Sequence, residues 1–329
     1  MSTQTIQKTY FDPTWQDDIF DSRAIDIPLS LPNTTSRNDD VWIAERKVSS
    51  EMIFGKEHIY KEPCSRTSIL KPSNMSQEYE VRDVHGNIIS DTSMMFPAKA
   101  WMSDSGEERC MMFSAAKEAK GHVLVAGLGL AIYPQFALAL NCPLKSITII
   151  EQNEKVINFV KEAWLNHISD IEIEITIIKD TIENYLSQTK QKFDTIYLDT
   201  LEDADPRFLA HINYLINLAS KHCSENATIQ CWGYAKMIDT FIKDVKSLTI
   251  NEFPLHEHHL DPVLQGYVDW LMKQKDNVTE KSIEQKARSC ALEIKESIDN
   301  YNRDRCFTAF ATSITDFYRN LALSKKSQL

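Results

Sequence analysis

Four glycine and carboxylate features of this 329-residue chain could do chemistry together. The run VLVAGLGLA sets Gly127 and Gly129 just after a short apolar segment, where a backbone turning sharply and passing close to a ligand needs residues without side chains. Downstream, three carboxylates each follow an apolar run: Glu151 after SITII, Asp180 after ITIIK and Asp199 after DTIYL. Carboxylates in such places accept hydrogen bonds from ribose hydroxyls or from an adenine amino group, and they hold or orient a nucleophile. A two-glycine turn alone is a common packing device, and any single carboxylate there can be a helix cap. The ordered set of four is what points to a nucleotide-like ligand.

The elements that must position them follow from periodicity. From Gly121 the chain alternates strand and helix. HVLVAG is a strand and AIYPQFALAL a helix. SITIIEQ is a strand and NEKVINFVKEAWLNH a helix, with Asn153 as its N-cap. In IEIEITIIKD the isoleucines 171, 173, 175 and 177 share one face, with Glu172, Glu174 and Thr176 on the other, so this strand is wet on one side and lies near a sheet edge. QKFDTIYLDT and ATIQCWG are two further strands, with the helical DPRFLAHINYLINLASKHC between them. Five strands separated by helices predict an α/β fold, a Rossmann-like, doubly wound and mostly parallel sheet over residues 101–255. In such a sheet the carboxylates face the crevice at the carboxyl ends of the strands.

Residues 1–39, rich in Asp, Thr, Ser and Asn with interspersed aromatics, read as an irregular arm. Residues 40–100 read as a small β-rich domain, with VWIAERKV as a strand and EYEVRDVHGNIISD as a hairpin turning at His85-Gly86-Asn87. Residues 256–329 read as a helical C-terminal extension whose apolar stripes either cap the site or pair with a second copy of the chain. A net charge of −11 repels phosphate backbones and anionic lipids, so neither nucleic acid nor a membrane is an expected partner. Seven scattered cysteines without a C-x-x-C pair read as reduced thiols in a cytoplasmic protein.

A dinucleotide fingerprint shares the glycine turn, but its third glycine would fall at Ile132, which demotes NAD. LHEHHLD (His256, Glu257, His258, His259, Asp261) offers metal-competent groups, or a general base, without a second motif to complete a metal site; no metal is expected. Trp232 and Tyr234, after the last strand, are candidates for lining an acceptor pocket. The chain has neither a G-x-S-x-G elbow nor a P-loop lysine.

The stretch from Trp101 to Gly233 resembles the class I S-adenosylmethionine (SAM)-dependent methyltransferases, and among them the spermidine synthase-like branch. VLVAGLGLAIYP is similar to the first motif of that family, with Ala131 where many members have a third glycine. SITIIEQNEKVI resembles the second motif, whose acid, here Glu151, holds the ribose. IIKDTIENYL resembles the segment whose Asp, here Asp180, meets the adenine, and FDTIYLDTLEDADP the segment opening on a catalytic Asp, here Asp199. WMSDS resembles the segment ahead of the glycine turn in spermidine synthase-like proteins of unassigned function, usually labelled methyltransferases. The resemblance implies SAM as cofactor, bound by Ser103, Asp104, Gly127, Gly129, Glu151, Gln152, Asp180, Thr181 and Asp199, with Asp199 and Glu202 as catalytic residues.

Two departures bear on the reaction. Aminopropyltransferases carry a D-x-x-D pair whose second member is here Glu202, and an upstream Tyr-x-Glu whose tyrosine is missing from WMSDSGEERCMMF. The expectation is therefore methyl transfer to a small molecule or peptide. The alternatives are an aminopropyl- or aminocarboxypropyltransferase, and a non-catalytic scaffold with a vestigial pocket.

Overall fold

Val123, Leu124, Val125 and Ala126 are each at most 1% exposed, a run too apolar to lie anywhere but inside a sheet covered on both faces. A computed structural model describes residues 20–32, 42–72, 98–168, 171–201, 204–246 and 279–293. By its contacts the chain divides into two units, one over Gln16–Ile182 and the other taking up at Glu183.

The first unit opens on a five-residue helix, α1 (Ser22–Asp26), whose N-terminal amide at Arg23 is capped by the Asp21 carboxylate. A three-stranded antiparallel sheet follows, in the order β1 (Trp42–Ile53), β2 (Lys56–Pro72), β3 (Ala98–Ser103). β1 and β2 meet at the two-residue turn Phe54-Gly55, both with positive φ (49° and 77°), the hand that matches the twist of paired strands. The hairpin expected at His85-Gly86-Asn87 lies outside the described residues.

Next come α2 (Gly106–Ala116), β4 (Gly121–Ala126), α3 (Ile132–Ala139), β5 (Leu144–Glu151), α4 (Glu154–Ala163) and β6 (Glu174–Lys179). β4, β5 and β6 pair in parallel, Ile149 standing opposite Val125 on one side and Ile177 on the other. The Asn153 side chain accepts from the amides of Lys155 and Val156, the cap read from sequence. β6 keeps its alternation: Glu174 and Thr176 are exposed while Ile175 and Ile177 are half-buried. Pro134 sits in the first turn of α3, where its missing N–H removes no helical bond. α3 packs on α2 through an edge-to-face pair of Phe113 and Phe136, centroids 5.2 Å apart.

The second unit holds β7 (Phe193–Leu198) and β8 (Cys223–Cys231), parallel and in register at Ile196–Ile229 and Leu198–Cys231. α5 (Ile182–Gln188) leads into it, and α6 (Leu209–Ser220) and α7 (Tyr234–Lys246) follow the two strands. The full strand order is β6-β5-β4-β7-β8, a parallel sheet whose chain order reverses at β4, as a doubly wound fold requires. α8 (Glu280–Glu293) packs on α7 and α6. Ile283, Ala287 and Ala291, four residues apart, form its buried stripe, and the Asn213 amide of α6 donates to the Ala291 carbonyl at 2.8 Å. Of the helices expected after Asn251 this is the one described.

Among the described residues no helix is long and apolar enough to cross a membrane, and Cys64, Cys110, Cys142, Cys223 and Cys231 are free thiols.

Candidate functional site

The glycine turn after β4 is an alternation of backbone hands. Gly127 (φ 92°), Gly129 (φ 52°) and Ala131 (φ 56°) all lie in the left-handed region. Glycine enters it freely; Ala131, N-cap of α3, enters it against the ordinary preference of an L-residue. Gly127 N continues the sheet ladder to the Ile150 carbonyl at 2.8 Å, and Ala131 N closes the turn on the Leu128 carbonyl at 2.8 Å.

Glu151, the last residue of β5, ties this turn to the next one. Its Oε2 accepts from Leu128 N at 3.0 Å and its Oε1 from Asn153 N at 2.7 Å. Only 5% of the residue is exposed. Burial pushes its carboxyl above the ordinary range, while the backbone amides of Asn153, Leu128 and Gln152 oppose that shift. Each oxygen, holding one N–H, keeps the capacity to accept a second donor. The Glu151 carbonyl also takes Asp180 N at 3.2 Å, so the acidic ends of β5 and β6 are directly linked. Asp180 is half-buried and its Oδ1 accepts from Thr181 N at 2.8 Å; the Gln152 and Thr181 side chains are exposed.

Ser103 is the last residue of β3 and Asp104 follows it. Asp104 is 1% exposed and accepts from the backbone amide of Thr67 on β2, while Arg109 Nη1 of α2 stands 3.4 Å from its second oxygen. Burial pushes its carboxyl up to about 6, against the pull of Thr67 N–H and Arg109. Arg109 itself reaches on to the carbonyls of Ala24, at 2.8 Å, and Ile27, fixing the segment around α1. Nothing in the sequence spacing foretold that Asp104 would serve the junction of β2, β3 and α2. Met102 was also missed: a Cβ built on Gly129 would meet its sulfur at 3.8 Å, so the end of β3 borders the glycine turn.

Ser103 Oγ donates to Glu108, in the first turn of α2. Burial pushes the Glu108 carboxyl up to about 7; the Ser103 hydroxyl opposes the shift and the charges of Asp104 and Glu107 add to it. A raised carboxyl keeps in the native state a proton that the unfolded chain releases. Its contribution to stability is therefore full below about 4.5 and is lost as pH rises through about 7. Glu108→Gln is expected to raise stability at pH 8 by on the order of 2 kcal/mol and to change it little at pH 4.5. Urea unfolding at the two values checks this; an equal effect at both would show that the native carboxyl is not raised.

In the second unit, Asp199 follows β7 and is half-buried, close enough to Cys231 at the end of β8 for its charge to add to the upward push of burial on that thiol. Trp232 N donates to the Leu198 carbonyl at 2.9 Å. Gly233 (φ 71°) lets the chain pass the loop after β7: a Cβ there would stand 2.7 Å from that of Ala204. Glu202 and His256, Glu257, His258, His259 and Asp261 lie outside the described residues. Among the described residues no group of His, Cys, Asp and Glu side chains is arranged to hold a metal ion.

No protein-family model matches the chain, and no curated protein matches it. Solved structures match in part. A methyltransferase from Podospora anserina, solved with SAH bound, is 18% identical over 52% of this chain and 66% of its own, with a TM-score of 0.30. Precorrin 8w decarboxylase from Methanobacterium thermoautotrophicum is 14% identical over 37% of this chain and 60% of its own, TM-score 0.29. A SAM-dependent methyltransferase from Agrobacterium tumefaciens is 14% identical over 36% of this chain and 40% of its own, TM-score 0.28. In each case less than two thirds of the solved chain is covered. Likenesses this shallow say nothing about activity, and the fold class rests on the strand order itself.

Proposed function

We propose that this chain binds S-adenosylmethionine and transfers its methyl group to a small molecule or peptide. The observation that carries the reading is the turn after β4, left-handed at residues 127, 129 and 131 and held by both oxygens of Glu151. Its residues suit the group. Glu151 offers a buried acceptor of matching chemistry to two ribose hydroxyls, Gly129 keeps the backbone open to close approach, and Asp180 supplies an acceptor for an amino group. When bound, the cofactor would supply a sulfonium whose methyl group is already activated. The protein's own part is to order donor and acceptor in line and to exclude water. In this reading Asp199 positions donor or acceptor, with Glu202 in a lesser role.

Transfer of an aminopropyl or aminocarboxypropyl group from the same sulfonium is the second reading. It is favoured by the likeness of the 193–206 segment to aminopropyltransferases and disfavoured by Glu202 and the missing tyrosine. The test incubates the full chain with SAM and a panel of amines, hydroxy compounds and short peptides, and identifies the by-product by mass spectrometry. S-adenosylhomocysteine formed in step with a methylated acceptor is expected. Methylthioadenosine instead would replace methyl transfer with the second reading. A chain that SAM does not stabilise against heat would leave neither; at a hundredfold excess over Kd, binding adds about 2.7 kcal/mol of stability.

A further inference from the structure

Two buried polar atoms at the ends of β7 and β8 have no hydrogen-bond partner among the described residues: Thr200 Oγ1 and Trp232 Nε1. A buried polar atom left unpaired carries a desolvation penalty until a protein group, a water or a ligand satisfies it, so each such atom calls for an explanation. Their placement is related. Leu198 and Cys231 are register partners, so the two backbones leave the sheet about 4.8 Å apart. Trp232 is the first residue past β8 and Thr200 the second past β7, with Asp199 between Leu198 and Thr200. Both residues are half-buried as wholes, so each side chain reaches the surface while its polar atom points inward. Ala204, pressed against Gly233, brings the loop that carries Thr200 onto the end of β8.

We propose that Thr200 and Trp232 form a hydrogen-bonding subsite for the acceptor molecule, taking a neutral carbonyl oxygen of an amide or peptide. This rests on the transferase reading for its role but not for its existence. An indole N–H can only donate, so the ligand atom it meets must accept. The threonine hydroxyl can donate to a second lone pair of the same oxygen. A carboxylate or phosphate would accept equally well, but the Asp199 carboxylate beside Thr200 and the net charge of −11 oppose an anion there. A cation offers no lone pair. Among neutral acceptors an amide carbonyl fits best, because its one oxygen can take both donors while its neighbouring N–H donates to Asp199.

The test uses the full chain labelled with nitrogen-15 and follows the six tryptophan indole N–H signals, with Trp232 assigned from its loss in Trp232→Phe. N-methylacetamide, acetate and methylammonium are titrated separately, with and without S-adenosylhomocysteine. The Trp232 signal is expected to move downfield and saturate with N-methylacetamide, at least fivefold more weakly in Thr200→Val, and not to respond to the two ions. Thr200→Val should also melt no lower than the parent chain, because its hydroxyl holds no bond among the described residues. A silent Trp232 signal, a stronger response to acetate, or a Thr200→Val variant that melts markedly lower would each overturn the subsite. A saturating response in a chain that SAM does not stabilise would keep the subsite and remove the transferase reading. Stabilisation by SAM with a silent indole would do the reverse.

Discussion

Gly129→Val is expected to lose at least a hundredfold in SAM affinity, about 2.7 kcal/mol, while the chain keeps its fold. The two halves of that expectation have different causes. A Cβ at 129 meets only the Met102 sulfur, at an ordinary contact distance of 3.8 Å, so nothing inside the protein collides with the first added atom. Ala131, two residues on and at nearly the same φ, already carries a Cβ in the left-handed region without disrupting the turn. A branched side chain strains the backbone further, by roughly 1–2 kcal/mol or somewhat more, which a domain of this size survives. The affinity loss comes from the proposed passage of the ligand along Gly129, where a branched side chain would stand in its way. Gly129→Ala should fall between parent and valine. Calorimetry on folded Gly129→Val decides the matter, because unchanged affinity there would remove the turn from the cofactor site.

The second large effect is expected from Glu151→Ala, which should lower stability by about 2 kcal/mol and weaken SAM and S-adenosylhomocysteine alike by roughly a hundredfold or more. Truncation leaves the amides of Leu128 and Asn153 without their acceptor. Two buried N–H groups would cost about 2–6 kcal/mol, partly offset because a desolvated carboxylate is no longer held in the interior. The affinity loss adds the charge-assisted bonds to two ribose hydroxyls, each worth about 1.5–3 kcal/mol. A donor analogue lacking both hydroxyls separates the contributions. It should bind the parent chain weakly and lose little more in the variant. If it loses as much as SAM does, Glu151 acts through the turn alone.

Much of the sheet was legible because each strand is short, apolar and followed by an amphipathic helix. Asn153 caps α4 as its residue type and place required, and the Ile/Glu alternation of β6 put that strand at the sheet edge, where it is found. The hairpin of β1 and β2 was not read. Its turn is Phe54-Gly55, and a bulky aromatic at positive φ is not a sequence signal for a turn, whereas His85-Gly86-Asn87 is one. Asp104 and Arg109 were equally opaque. Their partners, Thr67, Ala24 and Ile27, lie 37 to 85 residues away in sequence, and only tertiary packing joins them. Glu151 was legible as an acid at a strand end, but not as the acceptor for two backbone amides, because the rotamer of a side chain is not written in its spacing.

The double attachment of Glu151 bears on when the turn loses its freedom. Left-handed backbone at residues 127, 129 and 131 is entropically expensive to fix, and a loop that stays loose until its ligand arrives gives up that entropy out of binding affinity. The carboxylate grips the amides of Leu128 and Asn153, so the chain itself supplies the contacts that order the turn. If the turn takes the proposed cofactor, association is expected to need no slow rearrangement of it, which stopped-flow binding would show as a single phase linear in ligand concentration.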